Sequence, residues 1–265
     1  MNRRSFIRAW TTALLLAPSL ALAQAAPPLA WDANIFSELK ARLADSPAPS
    51  APAENPAPPA APDPDARARA LFQKPLIIGA SVSSGFRAET PARKIARQFG
   101  TNDAVVSLAV PGAAGAHQVE DLTDERLAAA TVVVGIDLFF WDTQRDCAAG
   151  LAGVDELFKR VAPRKTPLIV ATVPAMHAPL GIGGGGDCRD QINPKIAKSC
   201  KEDPTCILLD LNALYAKAAA DGGADYDGKH VAFHDMLSDG LHLSDAGSQL
   251  VAQAILNAVR AAPQK

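Results

Sequence analysis

Two stretches of this chain carry residue types at spacings that could do nucleophilic chemistry. The first is Ser81, at the break where the apolar run Leu76-Ile77-Ile78 gives way to Gly79-Ala80-Ser81-Val82-Ser83-Ser84-Gly85. Such a break reads as a buried strand ending in a tight loop. Open α/β sheets bind their ligands outside the carboxyl ends of the strands, where the next helix N-terminus presents free N–H groups. A serine there is also an ordinary turn residue, because its hydroxyl satisfies the local backbone. The choice depends on whether the chain also supplies a base, an orienter and oxyanion donors. The second stretch is Asp239-Gly240-Leu241-His242. An acid three residues ahead of a histidine can hold one ring nitrogen and leave the other to take a proton from a hydroxyl. On its own this tetrapeptide also reads as a turn followed by a helix cap.

The elements that must position these residues alternate beyond Lys74. Pro75 to Ser81, Ala104 to Val110, Thr131 to Val134, Leu168 to Val173 and Ile207 to Leu211 are predicted strands. Helices are predicted from Thr90-Pro91, a cap followed by a first-turn proline, to Phe99; from about Gln118 to Ala129; around Val154 to Val161; and over Asn193 to Lys198. The last opens at Ser244 and carries Leu250, Val251, Ile255, Leu256 and Val259. Strands apolar on both faces and separated by helices mean a parallel sheet covered on both sides, an α/β fold.

The start of the chain has the layout of a secretory signal over residues 1–23: a basic beginning, the apolar Ala13-Leu14-Leu15-Leu16-Ala17, and Ala21-Leu22-Ala23 before Gln24. Arg3-Arg4-Ser5-Phe6-Ile7 resembles a twin-arginine signal, and the general secretory route is equally open. Removing Arg3, Arg4 and Arg8 lowers Lys+Arg from 26 to 23 against 28 Asp+Glu, and the formal charge from −2 to −5. That balance argues against nucleic acid and anionic membrane as partners. No other apolar run reaches the ~20 residues that span a bilayer, so the mature chain is expected to be exported and soluble, periplasmic or secreted. Residues 24–44 form an N-terminal segment in which Trp31, Ile35, Leu39 and Leu43 recur on one helical face. Residues 45–73 read as a proline- and alanine-rich linker, and 74–265 as one compact domain.

The four cysteines, Cys147, Cys188, Cys200 and Cys206, suit an oxidising compartment. Cys200 and Cys206 close a short loop at the entrance to the fifth strand, whereas Cys147 and Cys188 fall in loops after the third and fourth, on the opposite edge. Crossed pairings would have to span the sheet. The spacing lacks the paired C-x-x-C units of a zinc site.

Four blocks occur here in the order and spacing of the SGNH (GDSL-type) hydrolases. They are Gly79-Ala80-Ser81, Val110-Pro111-Gly112, Gly135-Ile136-Asp137, and Asp239-Gly240-Leu241-His242-Leu243-Ser244-Asp245-Ala246-Gly247. The resemblance covers Lys74 to about Ala262 and implies a three-layer αβα, flavodoxin-like fold with a five-stranded parallel sheet. It implies Ser81 as nucleophile, His242 as general base, Asp239 as its orienter, and the Ser81 and Gly112 N–H groups as oxyanion donors. Two departures stand out. Ala80 occupies a position usually held by aspartate, and Asp137 stands where the family's oxyanion asparagine would be. An ionised carboxylate is acceptor-only. Either Asp137 is kept protonated, or another donor replaces it, or catalysis is weak or absent.

The resemblance thus implies an exported serine esterase acting on a small-molecule or glycan-linked acyl ester, with no metal and no cofactor. The alternative is a non-catalytic domain of this fold that binds an envelope glycan or protein. Leu138-Phe139-Phe140-Trp141-Asp142 either walls the substrate site, through Phe140 and Trp141, or is core beneath the loop. His177, His230 and His234 lie near the expected active edge, where loop histidines are usually solvated. Gly181 to Gly186 contains G-x-G-x-x-G without the context of a dinucleotide site, and reads instead as a flap anchored by Cys188.

Overall fold

The computed structural model describes residues 63–176 and 186–263. The expected signal segment, the 24–44 segment, most of the linker, His177 and the flap glycines 181–185 lie outside these residues.

The sheet consists of β1 (Pro75–Ile78), β2 (Val106–Ser107), β3 (Val132–Gly135), β4 (Leu168–Ala171) and β5 (Cys206–Leu209). All are parallel, in the order β2-β1-β3-β4-β5. Every residue of β1, β3 and β4 is buried, as continuous apolar runs between two helical layers require. One layer holds α1 (Ala66–Leu71), α3 (Pro91–Gln98) and α10 (Asp245–Ala261). The other holds α4 (Gly115–Glu120), α7 (Cys147–Val161) and α8 (Gly186–Glu202). Between these lie α2 (Ser81–Ser84), a single turn, then α5 (Asp124–Ala129), α6 (Asp142–Arg145) and α9 (Leu211–Ala220). The expected caps form. The Thr90 hydroxyl accepts from Arg93 N–H at 3.1 Å, and the Ser244 hydroxyl from Gly247 N–H at 3.1 Å.

Several expectations change. The domain does not begin at Lys74, because α1 falls in the expected linker and buries Ala68 and Phe72 in the core. The Arg67 guanidinium also donates to Ala262 O, joining the two ends of the domain. The second strand shrinks from seven residues to Val106–Ser107, an edge pair with Val106 and Val110 half exposed. The expected 118–129 helix is two, because Thr123 interrupts it and caps α5 by accepting from Arg126 N–H. Helices α7 and α8 extend well beyond the stretches expected of them. An unexpected hairpin, β6 (Gly223–Tyr226) and β7 (Lys229–Ala232), turns at Asp227-Gly228 with both φ values positive, +49° and +71°.

Both disulfides are present in the pairing inferred from strand order, Cys147–Cys188 and Cys200–Cys206. The first ties the start of α7 to the start of α8; the second clips the end of α8 to β5. Among the described residues no helix is long and apolar enough to cross a membrane.

Candidate active site

Ser81 opens α2 directly after β1, and Asp137 fixes that turn. Its Oδ1 accepts from Ala80 N–H at 3.0 Å and Ser83 N–H at 3.2 Å, and its Oδ2 from Val82 N–H at 2.7 Å. The intervening Ser81 N–H has no acceptor among the described residues. A single carboxyl group thus takes the N–H groups on either side of the serine and leaves the serine's own free, which is what an oxyanion donor requires. The turn closes further through Phe86 N–H to Ser81 O at 3.0 Å.

The fit around Asp137 is tight. A Cβ on Gly79, whose φ is +134°, would lie 2.6 Å from both Asp137 Oδ1 and Ser83 Oγ. Burial pushes the Asp137 carboxyl above the usual aspartate range, against the opposing effect of Ser83 and of the backbone N–H groups of Val82, Ala80 and Ser83. Asp137 therefore anchors the serine turn through its oxygens, and is not placed as the side-chain oxyanion donor expected at its position.

Asp142, five residues on, does the same for the neighbouring loop. Its Oδ2 accepts from Gly115 N–H at 2.6 Å and its Oδ1 from Ala116 N–H at 3.2 Å, fixing the first turn of α4 just after Gly112. Burial raises its pKa, opposed first by these same two hydrogen bonds. Gly112 adopts φ +76°, and its N–H has no acceptor among the described residues. Its carbonyl accepts from Arg145 Nη1 at 2.8 Å, and the Arg145 guanidinium stacks 4.6 Å over the Trp141 ring.

His242 sits on the loop before α10. His242 Nδ1 lies 2.8 Å from Asp239 Oδ2, and Asp239 Oδ1 accepts from the backbone N–H groups of His242 at 2.8 Å and Leu241 at 3.1 Å. Burial opposes ionisation of Asp239, but the His242 backbone, the His242 ring and Leu241 N–H outweigh it and hold the carboxyl below the ordinary range. The carboxylate selects the tautomer with the proton on Nδ1, so Nε2 remains an acceptor. The His242 ring packs edge-on against Phe86 with centroids 4.7 Å apart, which brings it beside the serine turn. Among the described residues no hydrogen bond joins Ser81 Oγ to His242; in unliganded enzymes such contacts are often long and tighten only with substrate. Arg87 Nε also lies 3.5 Å from Asp239 Oδ2.

A cavity of about 30 Å³ opens at Ser81, walled by apolar side chains that include Phe140 and Leu211, with Asp137 and Tyr215 also on its lining. Phe140 is therefore wall, Leu138 and Phe139 are core, and Trp141 holds Arg145 instead of lining the cavity. His230 and His234 pair with Asp225 and Asp235 on exposed surface and do not line it. A larger cavity of about 1100 Å³, bordered by Arg67, Lys165 and Asp203, opens where β4 and β5 begin. That is the opposite end of the strands from Ser81.

This architecture matches solved structures over about seven-tenths of the chain. The lipase/acylhydrolase from Enterococcus faecalis superposes with a TM-score of 0.53 at 17% identity, over 72% of this chain and 100% of that one. A GDSL-like lipase from Bacteroides thetaiotaomicron VPI-5482 gives 0.52 at 13% identity, over 72% and 90%. The chain has the SGNH-hydrolase fold. An acetyl xylan esterase also matches, at 0.50 and 17% identity, over 70% of this chain and 99% of that one. No family model and no curated protein matches the sequence. Sequence reasoning missed Asp142, Arg145 and Tyr215. For Asp142 a signal existed: a carboxylate closing an apolar run just after a strand has to find buried N–H partners.

Proposed function

We propose that the protein is an exported serine hydrolase that cleaves, or transfers, an acyl ester with Ser81, His242 and Asp239. The observation that carries this reading is the free Ser81 N–H, left between N–H groups that Asp137 occupies, on the turn against which Phe86 holds an Asp239-oriented histidine. The Ser81 hydroxyl attacks the carbonyl carbon and its proton passes to His242 Nε2. The resulting oxyanion is met by the N–H groups of Ser81 and Gly112. Collapse expels the alcohol, which takes the proton back from His242, and water repeats the sequence to release the acid and restore Ser81. Asp137 and Asp142 act one step back, by fixing the two backbone segments that donate. Two disulfides support export to an oxidising compartment.

A fluorophosphonate probe tests the reading. Labelling of the folded protein that disappears in Ser81→Ala is expected; absence of labelling, or labelling that survives the substitution, would sink it. One observation favours a second reading, the non-catalytic glycan- or protein-binding domain: Asp137 puts an acceptor where the resemblance implies an amide donor. Ester turnover abolished by His242→Ala would count against it.

A further inference from the structure

We infer that the cavity behind Ser81 is the acyl subsite and that it admits only short acyl groups, from acetyl to butyryl; this rests on the hydrolase reading above. The direction follows from the chain around His242. Leu241 and Leu243 both line the cavity, and Leu243 bridges Leu237 in antiparallel pairing. Leu241 and His242 lie in the bend that Asp239 Oδ1 closes by accepting both of their N–H groups. His242, between the two leucines, is not on the lining and packs instead against Phe86. The cavity therefore lies on the side of the serine away from the base. The leaving alcohol has to face His242 to receive its proton, so the acyl group is the part that enters the cavity.

The size follows from the walls. About 30 Å³ is room for roughly two or three water-sized groups, and a methyl or methylene fills about one such place. The lining is apolar, as a hydrocarbon tail requires, and its polar members are confined to Ser81, Asp137 and Tyr215. The walls do not yield cheaply. Ile136, Phe140, Leu211 and Leu243 belong to the main core, with Ile136 directly after β3 and Leu211 opening α9. Extra methylenes pushed into a packed core force side chains off their rotamers. Chains up to about four carbons gain from burial, and longer ones lose more than they gain.

The test is hydrolysis of p-nitrophenyl acetate, butyrate and octanoate by the intact protein, with Ser81→Ala as background. The expected result is a kcat/KM for acetate and butyrate at least about tenfold above that for octanoate. Leu211→Ala and, separately, Leu241→Ala widen the cavity and are each expected to raise the octanoate-to-acetate ratio by about tenfold, a ratio that does not depend on total activity. Octanoate cleaved as fast as butyrate in a Ser81-dependent way would overturn the inference and leave the hydrolase reading standing. A short-chain preference that both widened variants preserve would also overturn it. Absence of Ser81-dependent turnover on all three esters would remove the hydrolase reading and this inference together. The wild-type series decides the matter even where a widened variant does not fold.

Discussion

Replacing Asp137 by asparagine separates two accounts of this residue that predict opposite signs. If position 137 worked as a side-chain oxyanion donor, an amide there would supply the missing N–H and raise kcat by about 10² to 10³. The structure gives the carboxyl a different task. Oδ1 receives Ala80 and Ser83 N–H, and Oδ2 receives Val82 N–H. Asparagine keeps one oxygen, so whichever way the amide turns, its NH2 group confronts at least one backbone N–H. One net hydrogen bond of about 1 kcal/mol is lost, and a part-buried donor left facing a donor costs a further 1 to 3 kcal/mol, about 2 to 4 kcal/mol in all. For a domain of this size that is a fall of roughly 5 to 15 °C in Tm. The turn carrying Ser81 shifts with it, and a displacement near 1 Å costs on the order of 10² in rate. The assay pairs thermal unfolding with p-nitrophenyl acetate kinetics. Asp137 titrates above its unfolded value because it is buried, so its contribution to stability is full below that value and lost as pH rises through the folded pKa. The gap between wild type and Asp137→Asn is therefore largest in acid and narrows toward neutrality. An asparagine variant that is more active than wild type, at unchanged Tm, would refute the anchoring role.

Three further outcomes follow from other contacts. Gly79→Ala places a methyl 2.6 Å from Asp137 Oδ1 and Ser83 Oγ at φ +134°; it should cost more than about 2 kcal/mol in urea unfolding and abolish fluorophosphonate labelling. Asp239→Asn, which frees His242 to take the wrong tautomer, should lower kcat on the order of 10⁴. Because the Asp239 carboxyl is held below its ordinary value, the stability it contributes is present above pH 3.8 and is lost as pH falls through the lower folded value. The urea midpoints of wild type and Asp239→Asn should accordingly converge in strong acid. Removing Cys147–Cys188, whose partners are 41 residues apart, should cost about 4 kcal/mol by loop entropy, against about 2 kcal/mol for Cys200–Cys206, whose partners are 6 apart. Differential scanning calorimetry of the two double-alanine variants gives the order.

What could be read from the sequence divides by the range of the interaction. Strands β1, β3 and β4 were legible because burial on both faces writes an unbroken apolar run. The run Ala104 to Val110 looks the same, yet only Val106–Ser107 forms regular strand, while Leu108 and Val110 N–H go on donating to Ile77 and Gly79 O outside it, since apolarity does not say where an edge strand loses its regular geometry. The Asp239–His242 pair was legible because its hydrogen bond spans three residues. The hairpin could have been found from Asp227-Gly228, a dipeptide that favours the two-residue turn.

The task of Asp137 was not legible. Its donors lie 54 to 57 residues away, and the same holds for Asp142, 26 and 27 residues from Gly115 and Ala116. Read by position, Asp137 looked like a failed donor, because only its chemical type was visible. Placed after β3, it and Asp142 bracket Leu138 to Trp141 and hold the backbone on either side of Ser81 and the segment that follows Gly112. A carboxylate suits that work for the reason it fails as a donor: its oxygens only accept, so it can gather the N–H groups flanking Ser81 and leave the serine's own unclaimed.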